Sequence, residues 1–145
     1  EPSILKHKED FPLFKLASEI VTDGLSVKAA LYTYFGDIQG IYPKIFDLPY
    51  QIFGMDYVIG SNNFDIIKEF PAKKELGLGI IDARNTRLES VNDIAGAVTK
   101  TLKVVPLDRL HIGPNCGLEF LPRANALDKL VRMVEGARAA EGGIQ

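Results

Sequence analysis

Arg84 and Cys116 are the side chains best suited to chemistry, and each follows an apolar stretch. Arg84 lies in Asp82-Ala83-Arg84-Asn85-Thr86. A guanidinium is a planar fork of donors with a permanent charge, which suits a carboxylate or phosphate rather than proton transfer. Asp82, two residues earlier, is a candidate to orient it. Cys116 is the single cysteine, so a disulfide framework is excluded. It can act as a metal-binding thiolate, a nucleophile or a small buried side chain. A nucleophile needs a base beside it. His111 stands at the opposite end of a short predicted strand, and His7 lies in the charged stretch of residues 6–10. Neither is placed to serve. Tyr34, Ser61, Asn62, Asn63 and Asn115 add uncharged donors and acceptors. The sequence has no P-loop, no Gly-x-Gly-x-x-Gly and no closely spaced His or Cys pair.

The elements that must position these residues follow from hydrophobic pattern. Strands are expected at residues 27–32, 57–60, 78–81 and 110–112. The second and third are continuous apolar runs, the mark of parallel strands covered on both faces. Helices are expected at residues 11–21, at 38–46 around Pro43, and at 64–70 before Pro71. Ser90 and Asp93 form a capping-box pattern, after which Val91, Ile94, Ala95, Val98 and Leu102 recur at helical spacing. Leu127, Leu130, Val131, Val134 and Ala137 form a last stripe, with a frayed tail over 140–145.

Alternating strands and helices predict an α/β fold with a parallel sheet and right-handed crossovers. A leading helix and four β/α units correspond to half of a (β/α)8 barrel, whose full form takes roughly 250 residues. A flavodoxin-like sheet would want a fifth strand. In parallel α/β folds the chemistry sits at the carboxyl ends of the strands. Tyr34, Ser61 with Asn62, Asp82 with Arg84, and Asn115 with Cys116 are therefore expected to converge on one face. A half barrel leaves two sheet edges open. The expectation is a complementary N-terminal half, on the same chain or a separate subunit, or a second copy.

The 145 residues are 46% hydrophobic and 25% charged, which predicts one globular domain over 1–145. A net charge of -2 gives no footprint for nucleic acid or anionic lipid. No apolar run approaches the roughly 20 residues of a membrane span. A cytoplasmic location is the simplest expectation.

Several segments resemble one family. Residues 77–85 (Gly-Leu-Gly-Ile-Ile-Asp-Ala-Arg-Asn), Leu88-Glu89-Ser90-Val91 and Val105-Pro106-Leu107-Asp108-Arg109-Leu110 look like the end of the catalytic domain of cobalamin-independent methionine synthase. Pro114-Asn115-Cys116-Gly117-Leu118 with Leu121-Pro122-Arg123 is the most specific piece. Glu1-Pro2-Ser3-Ile4-Leu5 and Phe35-Gly36-Asp37-Ile38 extend the likeness over nearly the whole chain, as a divergent, archaeal-type member.

The resemblance implies a methyltransferase of methionine biosynthesis. In that family zinc activates the thiol of homocysteine, which takes a methyl group from a methylated folate; a methylcorrinoid is a second possible donor. The implied zinc ligands are a His and a Cys at one strand, a Glu after the next and a Cys after the last. Cys116 matches the last. The first two fall on Ala29 and Leu31, and the Glu falls on or near Ser61. The family's catalytic His falls on Arg84. Substrate contacts are expected from Glu1, Tyr34, Ser61, Asn62 and Asn115, with Arg84 and Asp82 as catalytic candidates. Two alternatives stand beside this reading. One is a zinc-free paralog that binds a small anion or acts as a non-catalytic subunit. The other is a corrinoid-linked or uroporphyrinogen-decarboxylase-like enzyme of the same superfamily.

Overall fold

A computed structural model describes residues 3–143. Among these residues, four strands form one parallel sheet in the order β1-β2-β3-β4. They are β1 (Ala30–Tyr32), β2 (Ile52–Asp56), β3 (Glu75–Ile81) and β4 (Leu110–Pro114). The helices are α1 (Ser3–Lys6), α2 (Phe11–Thr22), α3 (Asn63–Ile66), α4 (Val91–Leu102) and α5 (Arg123–Gly142). Sequential parallel strands with α4 in the β3–β4 crossover make an arc of a (β/α)8 barrel.

Register explains the core. Leu31, Phe53, Leu76 and Leu110 pair across the sheet and point to the helix side. Leu31, Phe53 and Leu76 are buried, together with Met55, Leu78, Ile94 and Val98. Phe46 meets Phe53 and Phe70 edge-on, each at 5.2 Å between ring centroids. Such pairs add about 1 kcal/mol beyond the area they bury. One residue along, Tyr32, Gly54, Gly77 and His111 form the row on the opposite face. The Tyr32 ring lies across Gly54 and Gly77, in the space their missing side chains leave.

Helix α4 starts as its sequence predicts. The Ser90 hydroxyl accepts from the Asp93 amide at 3.0 Å and donates to the Asp93 carboxylate. Helix α5 extends to Gly142 with Ala140 buried, so the tail expected from residue 140 is helical as far as 142. Residues 144 and 145 lie outside the described residues.

Two expectations need correction. The second strand is not residues 57–60 but Ile52–Asp56. The Asp56 carboxylate accepts from the amides of Val58 and Ile59, both at 2.9 Å, which turns the chain out of the sheet just where the apolar run begins. The helix expected at 38–46 is a set of turns followed by a single 3-10 turn, Lys44–Asp47. Pro43 has no amide hydrogen with which to continue a helical ladder.

Candidate functional site at the strand ends

Asp56 closes β2 and is fully buried. Besides the amides of Val58 and Ile59, its carboxylate accepts from the Phe35 amide at 3.0 Å and the Asn115 side-chain amide at 3.2 Å. The Asn115 side-chain oxygen in turn accepts from the Ala83 amide at 3.0 Å. One carboxylate and one carboxamide thus join the loops after all four strands. Asn63 reinforces the frame. It accepts from the Ile38 amide at 3.1 Å and donates to the Asp56 carbonyl at 2.7 Å.

Phe35 has φ of 65°, in the left-handed region that a bulky residue enters only at a cost of about 1–2 kcal/mol. Its hydrogen bond to Asp56 offsets that cost. The conformation sets the Phe35 ring 5.4 Å from the Arg84 guanidinium. Phe120, from the turn after β4, lies 4.6 Å from the same group. Glu119 on that turn places Oε1 3.9 Å from Arg84 Nη2.

Cys116 is buried beside this group. Burial pushes its thiol above the ordinary value, the charge of Arg84 and a hydrogen bond with it pull the other way, and the charges of Asp56 and Glu119 add to the rise. The resting group is therefore a neutral thiol at neutral pH. Arg84, Cys116, Phe35 and Phe120 come from three loops, and together they present charge, sulfur and aromatic surface at one place.

The other expected residues have different roles. Asp82 accepts from the backbone amide of Arg84 at 2.8 Å and from the side chain of Asn85, so it shapes the turn and not the guanidinium. Asn115 spends its oxygen and one donor inside the frame. Asn62 is exposed and donates to Asp37 at 3.0 Å. Ser61 is exposed on a turn five residues beyond the end of β2. Tyr34 stacks edge-on with Phe35 at 6.0 Å. Glu1 lies outside the described residues. His111 pairs with Glu75 at 2.7 Å, and His7 is exposed. Asp56, Phe35, Glu119 and Phe120 were not among the expected site residues. The signal for Asp56 was a lone carboxylate ending the continuous apolar run Ile52-Phe53-Gly54-Met55.

The residues present do not fit the zinc set the resemblance implies. Ala29 and Leu31 carry no donor atoms. Ser61 has no carboxylate; the one that ends the second strand is Asp56, and it already accepts four hydrogen bonds. Cys116 is left as the single remaining ligand, and a closed site needs four. Among the described residues the one tight group of His and acidic donors is His7, Glu9 and Asp10, all exposed.

A parallel sheet with polar groups gathered at its strand ends defines an α/β protein of the (β/α)8 class. The chain belongs to the cobalamin-independent synthase catalytic-domain family, whose model matches residues 13–139. It is 30% identical to a methionine synthase of Pyrococcus abyssi over 139 residues, covering 95% of this chain and 41% of that protein. Identity to the Thermococcus kodakarensis methionine synthase is 31% over 139 residues, covering 94% and 40%. A solved B12-independent methionine synthase from Shewanella sp. W3-18-1, in complex with selenomethionine, matches with a TM-score of 0.80 at 19% identity, over 94% of this chain and 45% of that one. That likeness carries the fold alone. The chain spans about two fifths of the length of the curated relatives it matches. No helix among the described residues is long and apolar enough to cross a membrane.

Proposed function

We propose that the strand-end face forms one wall of a methyl-transfer site for a small-molecule thiol, within a methionine-synthase-type barrel completed by further β/α units. The observation that carries this reading is the meeting of Arg84, Cys116 and Phe35 on the Asp56–Asn115 frame, in a chain of this family. Homocysteine is the thiol the family suggests, with a methylated folate or a methylcorrinoid as donor. Arg84 binds and orients an anionic group; it cannot move a proton as a histidine would. Assay of the full-length protein with homocysteine and each labelled donor tests this. Label in methionine supports it, and binding of both partners without transfer sinks it.

A second reading, a zinc-free paralog that binds its ligand without turnover, is favoured by one observation. Ala29, Leu31 and the committed carboxylate of Asp56 leave no zinc set. Retained homocysteine binding with no transfer from either donor would select it.

The missing β/α units also have a physical argument. Leu13, Leu16 and Ile20 on α2, which precedes β1, and Leu127 and Val131 on α5, which follows β4, are exposed apolar residues. Helix α2 precedes β1 and α5 follows β4, so two copies closed head to tail would bring both helices to the same seam. A complement of four strands joined by three helices avoids that conflict. It supports distinct β/α units, on this chain or another, over a second copy.

A further inference from the structure

Arg84 and Glu119 form an ion pair whose separation, 3.9 Å, lies beyond hydrogen-bonding distance. Both side chains are accessible, at 36% and 59%, so the pair is weak and easily exchanged. Phe35 and Phe120 lie against the guanidinium at 5.4 and 4.6 Å. A guanidinium carries five N–H donors, more than its contacts with Cys116 and Glu119 engage, which leaves donors for an anion. Phe120 is 72% exposed, so the contact with Arg84 is a conspicuous partner for a large aromatic ring in water.

We propose that Arg84 is the receiving group for the carboxylate of a small ligand, and that Glu119 is the internal carboxylate this ligand displaces. The identity of the ligand rests on the methyl-transfer reading; the site itself does not. A carboxylate fits better than a phosphate. The group holds one guanidinium, while Asp56 and Glu119 both lie near Cys116. A dianion would meet two like charges and one cation. Within the reading above, two sources carry the right chemistry: the carboxylate of an α-amino acid, and a glutamyl carboxylate on a folate.

Calorimetric titration of the full-length protein with L-methionine and, separately, folic acid tests the proposal and separates the sources. Arg84→Gln should weaken binding of the true class at least about tenfold. Arg84→Lys should recover part of it, because the charge returns without the fork. Glu119→Gln should bind several-fold more tightly, since the competitor is gone. Glu135→Gln, exposed in the second half of α5, should change nothing, and circular dichroism reports whether each variant is folded. Binding indifferent to Arg84, weaker binding in Glu119→Gln, or no binding of either probe overturns the proposal. If folic acid alone binds with this pattern, the carboxylate site stands while the amino-acid thiol reading loses its support. If L-methionine binds without regard to Arg84 and Glu119, the carboxylate site falls and methyl transfer does not.

Discussion

The side-chain amide of Asn115 donates to the Asp56 carboxylate at 3.2 Å, linking the ends of β4 and β2 across the intervening β3. Residues 59 apart in sequence thereby hold the strand-end face together. Asp56→Ala would leave four donors without their acceptor, the Asn115 amide in a buried place and the other three in partly buried ones. A loss of about 3 kcal/mol in stability is expected, since each unsatisfied buried group costs about 1–3 kcal/mol and some will recruit water. Urea unfolding measures the loss. In Asp56→Asn the Phe35 amide resonance should move, as Phe35 sits in its left-handed conformation against that carboxylate. An unshifted Phe35 resonance would remove Asp56 from its role.

Much of the architecture is legible in the chain. The third parallel strand follows from the continuous apolar run at 78–81, and the start of α4 from Ser90 with Asp93. The displacement of β2 has a local cause: Tyr57-Val58-Ile59 reads as strand by composition, while one carboxylate captures two of its amides. At the site, Arg84 and Cys116 are visible by residue type. The Asp56–Asn115 bond and the positive φ of Phe35 are not, because each depends on partners distant in sequence. Asn62, Ser61 and Asn115 look alike as turn residues, and only the fold separates the buried Asn115 from the exposed pair.

Gly77 is packed between the Tyr32 ring and the backbone of β2. A Cβ there would lie 2.9 Å from the Cα of Gly54 and 2.8 Å from the Tyr32 hydroxyl. The Tyr32 hydroxyl can swing away, but the Gly54 backbone cannot without shifting β2. Gly77→Ala is expected to cost about 2 kcal/mol, as overpacking a filled interior does. The shift in thermal midpoint should shrink only slightly when Tyr32→Ala is added. Full rescue by Tyr32→Ala would place the clash on the ring and not on the backbone.

Glu75, the first residue of β3, pairs with Lys28, two residues before β1, and with His111 of β4. Hydrogen bonds from Lys28 and then His111 hold its carboxyl below the ordinary value of 4.5. A carboxyl lowered on folding stabilises the protein above its unfolded pKa and loses that contribution as pH falls through the folded value. Stability should therefore drop on acidification from about pH 5 downward, and Glu75→Gln should flatten this part of the profile. A profile of Glu75→Gln parallel to that of the parent would remove Glu75 as the source.

The thiol of Cys116 gives a direct reading of its surroundings. Burial raises its pKa, and Arg84 opposes that rise. Alkylation by iodoacetamide follows the thiolate fraction and access. The reaction should be slow at neutral pH and should accelerate only above the ordinary thiol value of about 9. Arg84→Gln should move the midpoint higher still. A midpoint unchanged by that substitution would place the guanidinium elsewhere in solution.

Zinc content decides how far this chain has departed from the chemistry its family resemblance implies. Ala29 and Leu31 offer no ligand atoms, and the Asp56 carboxylate would have to surrender its hydrogen bonds to Phe35, Val58, Ile59 and Asn115 before meeting a metal. Cys116 alone cannot hold the ion against competing thiols in water, because structural zinc sites draw their affinity from four ligands at once. Elemental analysis of the purified full-length protein, after dialysis against zinc and then against buffer, should find far less than one zinc per chain. Cys116→Ser should leave that value unchanged. About one zinc per chain, lost on Cys116→Ser, would mean that further β/α units or a rearranged Asp56 complete a metal site. The buried frame described for Asp56 would then be the metal-free state of a switch rather than its permanent role.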